Sequence, residues 1–244
     1  MNQDQFLAAA SRNPANEIIA EELFRLALPD AWLVSGCLVQ TVWNVLTGRA
    51  VDYGINDYDV FYFDPDTSWE AEDKIIRTLT ERLAGRGIAV EARNQARVHL
   101  WYPEKHGLPY PELRCSTQGI DRFLTRNTQI GLRRTQEGYE VYAPHGFDDV
   151  AAMIVRPNPG ANFSTANYAA KAALWRRCGR RSRCCRRMRF NHPRRPGERR
   201  DPYRAVLSIR ARSPTSSKPT GAAAYGSGVR RDDGGVLPLY LLPP

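Results

Sequence analysis

The sequence predicts an α/β domain over residues 1–175, followed by a segment, residues 176–244, that does not fold with it. Residues 55–64 form an apolar, aromatic-rich run of the kind found in buried strands. Residues 32–37 form a second strand-like run that enters a small-residue turn, and apolar residues at helical spacing follow it. Strands that alternate with helices in this way are typical of an α/β domain.

The first predicted helix begins at Asn13 and Pro14, an N-cap residue followed by proline in the first turn, and it ends at Pro29. After the first strand, another helix runs from about residue 38 to residue 47 and stops at Gly48. These helices flank a strand that leads directly into a glycine turn.

The strand at residues 55–64 precedes a helix that Thr67 and Ser68 cap and that Gly85 and Gly87 close. The apolar positions of this helix recur at helical spacing: Ile75, Ile76, Leu79 and Leu83. A strand, a helix and a further strand-like run therefore follow one another.

Residues 88–102 are predicted to form one kinked strand or a hairpin that turns near Asn94. Taken as a continuous strand, one face is apolar and the other is polar. The polar face carries Glu91, Arg93, Gln95, Arg97 and His99. We expect so complete a polar face to look towards solvent or towards a binding site.

The remaining predicted elements are short. We expect a helix within residues 116–127 and two strands within residues 128–142 around Gly138. Two further helices are expected within residues 148–153 and 168–175.

Two carboxylates lie near the beginning of the strand at residues 55–64. Because residues two apart in a strand point to the same face, Asp57 and Asp59 are expected to lie side by side at one end of a sheet. Mg²⁺ is usually held by one or two carboxylates together with nucleotide phosphates. The pair therefore predicts a metal site, and two aspartates that cap a strand end are the structural alternative.

The turn formed by Ser35, Gly36 and Cys37 leads into a helix. The free backbone N–H groups of a helix start, and the positive end of the helix dipole, together form a site suited to phosphate. The turn and the two aspartates are therefore complementary, because one suits a phosphate and the other suits the metal that accompanies it.

These residues resemble the DNA-polymerase-β-like nucleotidyltransferase superfamily. Its signature is an apolar residue, Gly, and then Gly or Ser, followed by Asp-x-Asp or Asp-x-Glu on the next strand. The corresponding residues here are Val34 or Ser35, Gly36, Cys37 and Asp57-Tyr58-Asp59. Over about residues 28–175 the sequence is similar to one branch, a family of bacterial nucleotidyltransferase-like proteins. The segments that carry this similarity are residues 36–37, 40–44, 57–64, 68–72 and 93–101.

The resemblance implies a polymerase-β-like nucleotidyltransferase fold with a mixed sheet flanked by helices. It also implies Mg²⁺ or Mn²⁺ as cofactor, an NTP as substrate and a third carboxylate beside the aspartate pair, which we predict to be Glu91. Arg93, Arg97 and His99 are then expected to reach triphosphate oxygens or a substrate anion. A structural hydrogen bond is the alternative role for His99.

The formal net charge of +9 belongs wholly to residues 176–244. Residues 1–175 carry 17 Lys and Arg against 22 Asp and Glu. A nucleic-acid partner for the folded domain is therefore not expected, because it requires a basic groove. The sequence shows no signal peptide and no apolar stretch of membrane-spanning length, so we expect a cytoplasmic protein without a membrane partner.

Residues 176–244 form an Arg-rich tail with few large aliphatic side chains, and we predict that this tail is disordered. Residues 192–203 are similar to translated bacterial repeat elements that occur at the ends of unrelated reading frames. We interpret the tail as a frameshifted or read-through translation that replaces the family's own terminus near Trp175. An arm that binds RNA or DNA is the alternative interpretation.

The predicted function is Mg²⁺-dependent transfer of a nucleoside monophosphate from an NTP to a hydroxyl of a small molecule or a protein. Asp57, Asp59 and Glu91 would hold the metal and catalyse, and the amides of Gly36 and Cys37 would bind phosphate. The alternative is a nucleotide- or partner-binding protein that kept the fold and lost turnover. Its support is Cys37, where the superfamily has Gly or Ser, and an unusually long interval between Gly36 and Asp57.

Deleting the tail tests the predicted boundary. We expect a protein that ends at Trp175 to melt within a few degrees of the full chain, because the tail contributes little buried apolar surface. Thermal unfolding of both forms provides the measurement. A truncated protein that fails to fold, or strong amide-exchange protection within residues 176–244 of the full chain, would contradict the boundary.

Overall fold

The computed structural model describes residues 1–159 and 168–169. The helices are α1 (Gln3–Ala10), α2 (Pro14–Arg25), α3 (Gly36–Thr47), α4 (Trp69–Ala84), α5 (Val98–His106), α6 (Ser116–Ile120) and α7 (Asp148–Ala151). The strands are β1 (Trp32–Val34), β2 (Tyr58–Tyr62), β3 (Val90–Asn94), β4 (Gly131–Thr135) and β5 (Gly138–Tyr142). The predicted tail, and most of the helix predicted at residues 168–175, lie outside the described residues.

The five strands form one mixed sheet in the order β3-β2-β1-β4-β5. Only the pairing of β2 with β3 is parallel, and the other three strand pairs are antiparallel. A parallel pair needs a crossover connection, which α4 supplies between β2 and β3. The prediction of an α/β fold with a mixed sheet flanked by helices is confirmed.

The ends of the early helices follow from local sequence. The side chain of Asn13 accepts a hydrogen bond from the backbone N–H of Ala15, and Pro14 occupies the first turn of α2. Helix α3 ends at Gly48, whose φ of 67° is the left-handed conformation that glycine adopts without strain. Ser68, and not Thr67, provides the N-cap of α4. The predicted starts of α2 and α4 and the predicted end of α3 are confirmed, whereas α2 ends at Arg25, four residues before the predicted end at Pro29.

The prediction for residues 88–102 was wrong beyond Asn94. Strand β3 ends at that residue, a 3₁₀ turn covers Gln95–Arg97, and α5 follows. Asn94 causes the break because its side-chain amide donates to the carbonyl oxygens of Asp64 and Asp66, at 2.9 and 3.1 Å. Its side-chain oxygen accepts from the N–H of Ala96, which starts the turn. The helix predicted within residues 116–127 is also shorter than expected, since α6 ends at Ile120.

The sheet buries a different core on each face. Leu33, Val60 and Leu132 face the larger core, which α1 to α4 cover. Helix residues in this core include Phe6, Leu23, Leu38, Val42, Leu79 and Leu83. On the opposite face, Trp32, Val34 and Phe61 pack against Ile120 and Phe123. Within the described residues, no helix is long and apolar enough to cross a membrane.

A buried ion pair fastens α4 to the end of β3. Glu72 accepts a hydrogen bond from the backbone N–H of Asn94 at 2.9 Å, and its second oxygen pairs with the guanidinium of Arg97. The side chain of Glu72 is 4% exposed and that of Arg97 is 12% exposed. Helix α4 also carries an exposed pair, Arg77 with Asp73 at 2.8 Å.

Substitution of the two arginines tests the difference between these pairs. Arg97→Met leaves a buried carboxylate without its cation, so we expect the free energy of unfolding to fall by about 3 kcal/mol. Arg77→Met removes only an exposed pair, and the expected loss is under about 0.5 kcal/mol. Urea unfolding measures both, and equal losses would show that the Glu72–Arg97 pair is not a structural anchor.

Candidate active site

The register of the sheet brings the sequence-predicted acidic residues to one end. Asp59 of β2 lies opposite Val34 of β1 on one side and opposite Glu91 of β3 on the other. Side chains of residues paired in register project to the same face, so Asp59 and Glu91 are neighbours on adjacent strands. Asp57 immediately precedes β2, two residues before Asp59.

The turn between β1 and α3 lies at the same end of the sheet, because Val34 is the last residue of β1. Ser35 has φ 66° and ψ −120°, a conformation that costs a residue with a side chain about 1 kcal/mol or more. The backbone N–H of Ser35 donates to the carbonyl of Ile130 at 2.9 Å, which fixes the turn against β4. Helix α3 then begins at Gly36, so its first amides open beside the acidic residues.

The side chain of Cys37 is buried below the start of α3. It is 3% exposed, and its Sγ lies 3.5 Å from the carbonyl oxygen of Val34. Burial raises the pKa of the Cys37 thiol well above its ordinary value, and the negative charges of Asp59 and Asp57 raise it further. Cys37 is therefore a neutral thiol at physiological pH and not a nucleophile.

At this end of the sheet, burial disfavours the charged forms of two carboxylates, Asp57 and Glu91. Burial raises the pKa of Asp57. Burial also raises the pKa of Glu91, and the charge of Asp57 adds to that effect, whereas the cations of Arg93 and Lys105 oppose it. A cation bound near Asp57 and Asp59 would relieve this repulsion.

Asp57 and Asp59 fit Mg²⁺ or Mn²⁺ by their chemistry, since both supply hard oxygen donors. Across residues 1–159 and 168–169, no group of three or more His, Cys, Asp or Glu side chains is arranged to hold a metal ion. Glu91 instead forms an ion pair with Arg93, with 3.7 Å between Oε2 and Nη2. Two carboxylates are nevertheless a common protein contribution to a Mg²⁺ site that phosphates complete.

Arg93 and Glu91 occupy the same face of β3, so the structure brings Arg93 near the acidic end. Arg97 and His99 lie at the other end of that strand, because the chain leaves β3 at Asn94. The guanidinium of Arg97 is held by Glu72 and lies 5.4 Å from the ring centre of Trp69. Arg97 and His99 were predicted to bind a nucleotide because they were placed on one strand face with Glu91 and Arg93. Since β3 ends at Asn94, they do not share that face, and this reason for the prediction no longer applies.

The long interval between Gly36 and Asp57 contains α3 itself and then a loop, residues 48–57, that is tied back to α3. The side-chain amide of Asn44 donates to the carbonyl oxygens of Val51 and Tyr53, at 3.0 and 2.9 Å. Asn44 lies on α3, so these bonds connect the helix that begins at Gly36 to the segment that delivers Asp57. Sequence spacing did not single out Asn44 as a positioning residue. It also did not single out Lys105, which lies in the last turn of α5, beyond the strand predicted at residues 88–102.

Comparisons with known proteins agree with the fold. A family model described as nucleotidyltransferase matches residues 21–179. A solved NMR structure, described as a CCA-adding enzyme head domain, is similar in fold, with a TM-score of 0.57 and 24% sequence identity. The similarity covers 79% of this chain and 97% of that one. No protein with a curated function matches the chain.

Because the pKa of Asp57 is raised, replacing its carboxylate with a neutral side chain is predicted to stabilise the protein, by an amount that depends on pH. A carboxyl whose pKa is raised by folding loses its proton at a lower pH in the unfolded state than in the folded state. The stability of the folded state therefore falls as pH rises past about 4. We expect Asp57→Asn to raise the melting temperature at pH 7, with the gain shrinking as pH falls towards 4.

Asp66→Asn is the matched control for this effect. Hydrogen bonds from Ser68 lower the pKa of Asp66, so its neutralisation should bring no gain at pH 7. Melting curves of the parent and both variants between pH 4 and 8 provide the measurement. A pH-independent loss of stability in Asp57→Asn would mean that its carboxylate is structural.

Proposed function

The chain belongs to a nucleotidyltransferase family, and from this premise we propose that it transfers a nucleoside monophosphate from an NTP to a hydroxyl group of a small molecule or a protein. The observation that carries the proposal is the position of Asp57 and Asp59 beside the start of α3. One element suits a metal and the other suits a phosphate, as this reaction requires. The proposal includes a cytoplasmic location, where NTPs are supplied.

In the proposed reaction, the acceptor oxygen forms a bond to the α-phosphorus of the NTP. The bond between that phosphorus and the bridging oxygen breaks, and pyrophosphate leaves with the electron pair. Mg²⁺ or Mn²⁺, held by Asp57 and Asp59, would neutralise the phosphate charge. We assign Glu91 to accept the proton of the hydroxyl, because burial raises its pKa and it lies beside Asp59 in the register.

The start of α3 would hold the leaving phosphates. The backbone N–H groups of Gly36 and Cys37 lie in the first turn of a 12-residue helix, whose dipole favours an anion. The amide of Ser35 is already bonded to Ile130, so Ser35 would contribute its Oγ, which is buried and has no hydrogen-bond partner among the described residues. Arg93, at the opposite side of Glu91, would add a cation for a phosphate or an acceptor anion.

The net negative charge of residues 1–175 argues against a long nucleic-acid acceptor. A second candidate function is nucleotide binding without turnover. The absence of a preformed three-ligand group among the described residues favours it, as does the ion pair that engages Glu91. The two candidates differ in turnover and agree in the binding of an NTP.

Neutralising one aspartate tests the proposal. We expect Asp59→Asn to abolish metal-dependent NTP binding and to reduce pyrophosphate release by at least about 100-fold, since a lost metal contribution is worth several kcal/mol. The measurement is pyrophosphate release by the full chain with each of the four NTPs and Mg²⁺ or Mn²⁺. Asp73→Asn removes a carboxylate from α4 and should leave both quantities unchanged.

The outcomes separate the candidates. If Asp59→Asn and Asp57→Asn bind Mg-NTP as the parent does, the pair is not a metal site and the transferase proposal fails. If the variants lose binding but the parent releases no pyrophosphate with any NTP and a broad acceptor set, then the protein binds nucleotide without turnover.

A further inference from the structure

The side chain of one buried asparagine connects the two elements of the candidate site. Nδ2 of Asn13 donates to Oγ1 of Thr41, on α3, at 3.1 Å, and to the hydroxyl of Tyr58, on β2, at 3.2 Å. All three side chains are buried. One amide group therefore joins the helix that begins at the phosphate turn to the strand that carries the acidic residues.

Asn13 is itself held in place by its neighbours in the chain. Its backbone N–H donates to the carbonyl of Ala10 at 3.3 Å, and its side-chain oxygen accepts from the N–H of Ala15 at 3.1 Å. The side-chain amide of Asn16 donates to the same carbonyl of Ala10 at 2.9 Å, which ties the first turn of α2 to the end of α1. The Nδ2 group of Asn13 therefore projects from a fixed support.

The two bonds of the Asn13 amide act close to the groups that the proposed reaction uses. Tyr58 lies between Asp57 and Asp59 in the sequence, and its side chain points to the opposite face of the sheet from that of Asp59. Thr41 lies in the second turn of α3, about 7.5 Å along the helix axis from its first residue. A shift of α3 against β2 would therefore stretch or break these bonds.

The link through Asn13 differs from the bonds made by Asn44. Asn44 ties the loop before Asp57 to α3, whereas Asn13 ties β2 itself to α3. Apolar side chains of α3 and β2 also share the larger core, but hydrophobic burial is non-directional. Hydrogen bonds add a defined distance and angle to that packing.

We propose that Asn13 is a positioning residue, which sets the distance between the amides at the start of α3 and the two aspartates so that one metal–NTP complex engages both. This inference rests on the proposed function, because it concerns the same two elements. A ligand that spans them gains from both contacts only when their separation fits it. A misplacement of about 1 Å in a reacting complex costs on the order of 100-fold in rate. Asn13 acts here through Thr41 and Tyr58, and not by contact with the nucleotide.

The test compares a ligand that spans the two elements with ligands that reach only one of them. Calorimetric titration of the full chain gives its affinity for Mn-ATP and for ATP in the presence of EDTA, and the electron paramagnetic resonance signal of free Mn²⁺ gives its affinity for Mn²⁺ alone. Tyr58→Phe removes the hydroxyl and keeps the ring. We expect it to weaken Mn-ATP binding about five- to tenfold, the equilibrium equivalent of about one hydrogen bond. The affinities for metal-free ATP and for Mn²⁺ alone should stay unchanged.

Substitutions of Thr41 examine the other bond. Thr41→Val removes the hydroxyl and should have the same effect as Tyr58→Phe, whereas Thr41→Ser keeps a hydroxyl and should behave as the parent does. Tyr168→Phe is the matched control, because the hydroxyl of Tyr168 is also buried and donates to the carbonyl of Val155 at 3.0 Å, outside α3 and β2. It should lower the melting temperature about as much as Tyr58→Phe does and leave all three affinities unchanged.

Three results would overturn the inference and leave the proposed function standing. They are an unchanged affinity of Tyr58→Phe for Mn-ATP, an equal loss of affinity for Mn-ATP and for either single ligand, and an equal loss for Mn-ATP in Tyr168→Phe. Thr41→Val decides by the same criteria where Tyr58→Phe does not fold. A parent that binds Mn-ATP no more tightly than metal-free ATP would overturn the proposed metal site, and this inference with it.

Discussion

The burial of Asp59 on an inner strand, at one end of the sheet, is the constraint on which the candidate site depends. Asp59 is 3% exposed, and the strands on either side place Val34 and Glu91 opposite it. A shift of one residue in the pairing of β2 would turn Asp59 towards the core that α1 to α4 cover. The apolar residues that alternate with Asp59, Tyr58 and Val60, therefore fix the direction of the carboxylate. Core packing and the acidic site are specified by the same strand.

Buried charged residues lie at both ends of the β2–β3 strand pair, but their surroundings differ. At the far end, Glu72 is paired with Arg97 and bonded to the amide of Asn94, so its charge is compensated within the protein. At the near end, burial raises the pKa of Asp57, which disfavours its charged form. Compensated charge serves structure, whereas charge that burial disfavours is typical of functional sites. This contrast distinguishes the two groups of charged residues better than their spacing in sequence does.

Local patterns in the sequence were sufficient for β2, for the turn at Gly36 and for the hairpin of β4 and β5, because apolar runs and turn residues determine those elements. They were insufficient for α5. Residues 88–102 alternate in polarity as a strand does, and the break is imposed by hydrogen bonds from Asn94 to Asp64 and Asp66, 30 and 28 residues away. Sequence spacing does not reveal such long-range partners. For the same reason it placed Arg97 at the site.

Cys37 is the departure from the superfamily signature that bears most directly on catalysis. A larger side chain in a phosphate-binding turn would obstruct the ligand if it projected outward. Here Sγ lies 3.5 Å from the carbonyl of Val34, inside the molecule, and only 3% of the residue is exposed. The thiol is also uncharged at physiological pH, because burial and the neighbouring aspartates raise its pKa. Cys37 therefore neither occupies the space in front of the α3 amides nor adds a negative charge to it, and its presence is compatible with turnover.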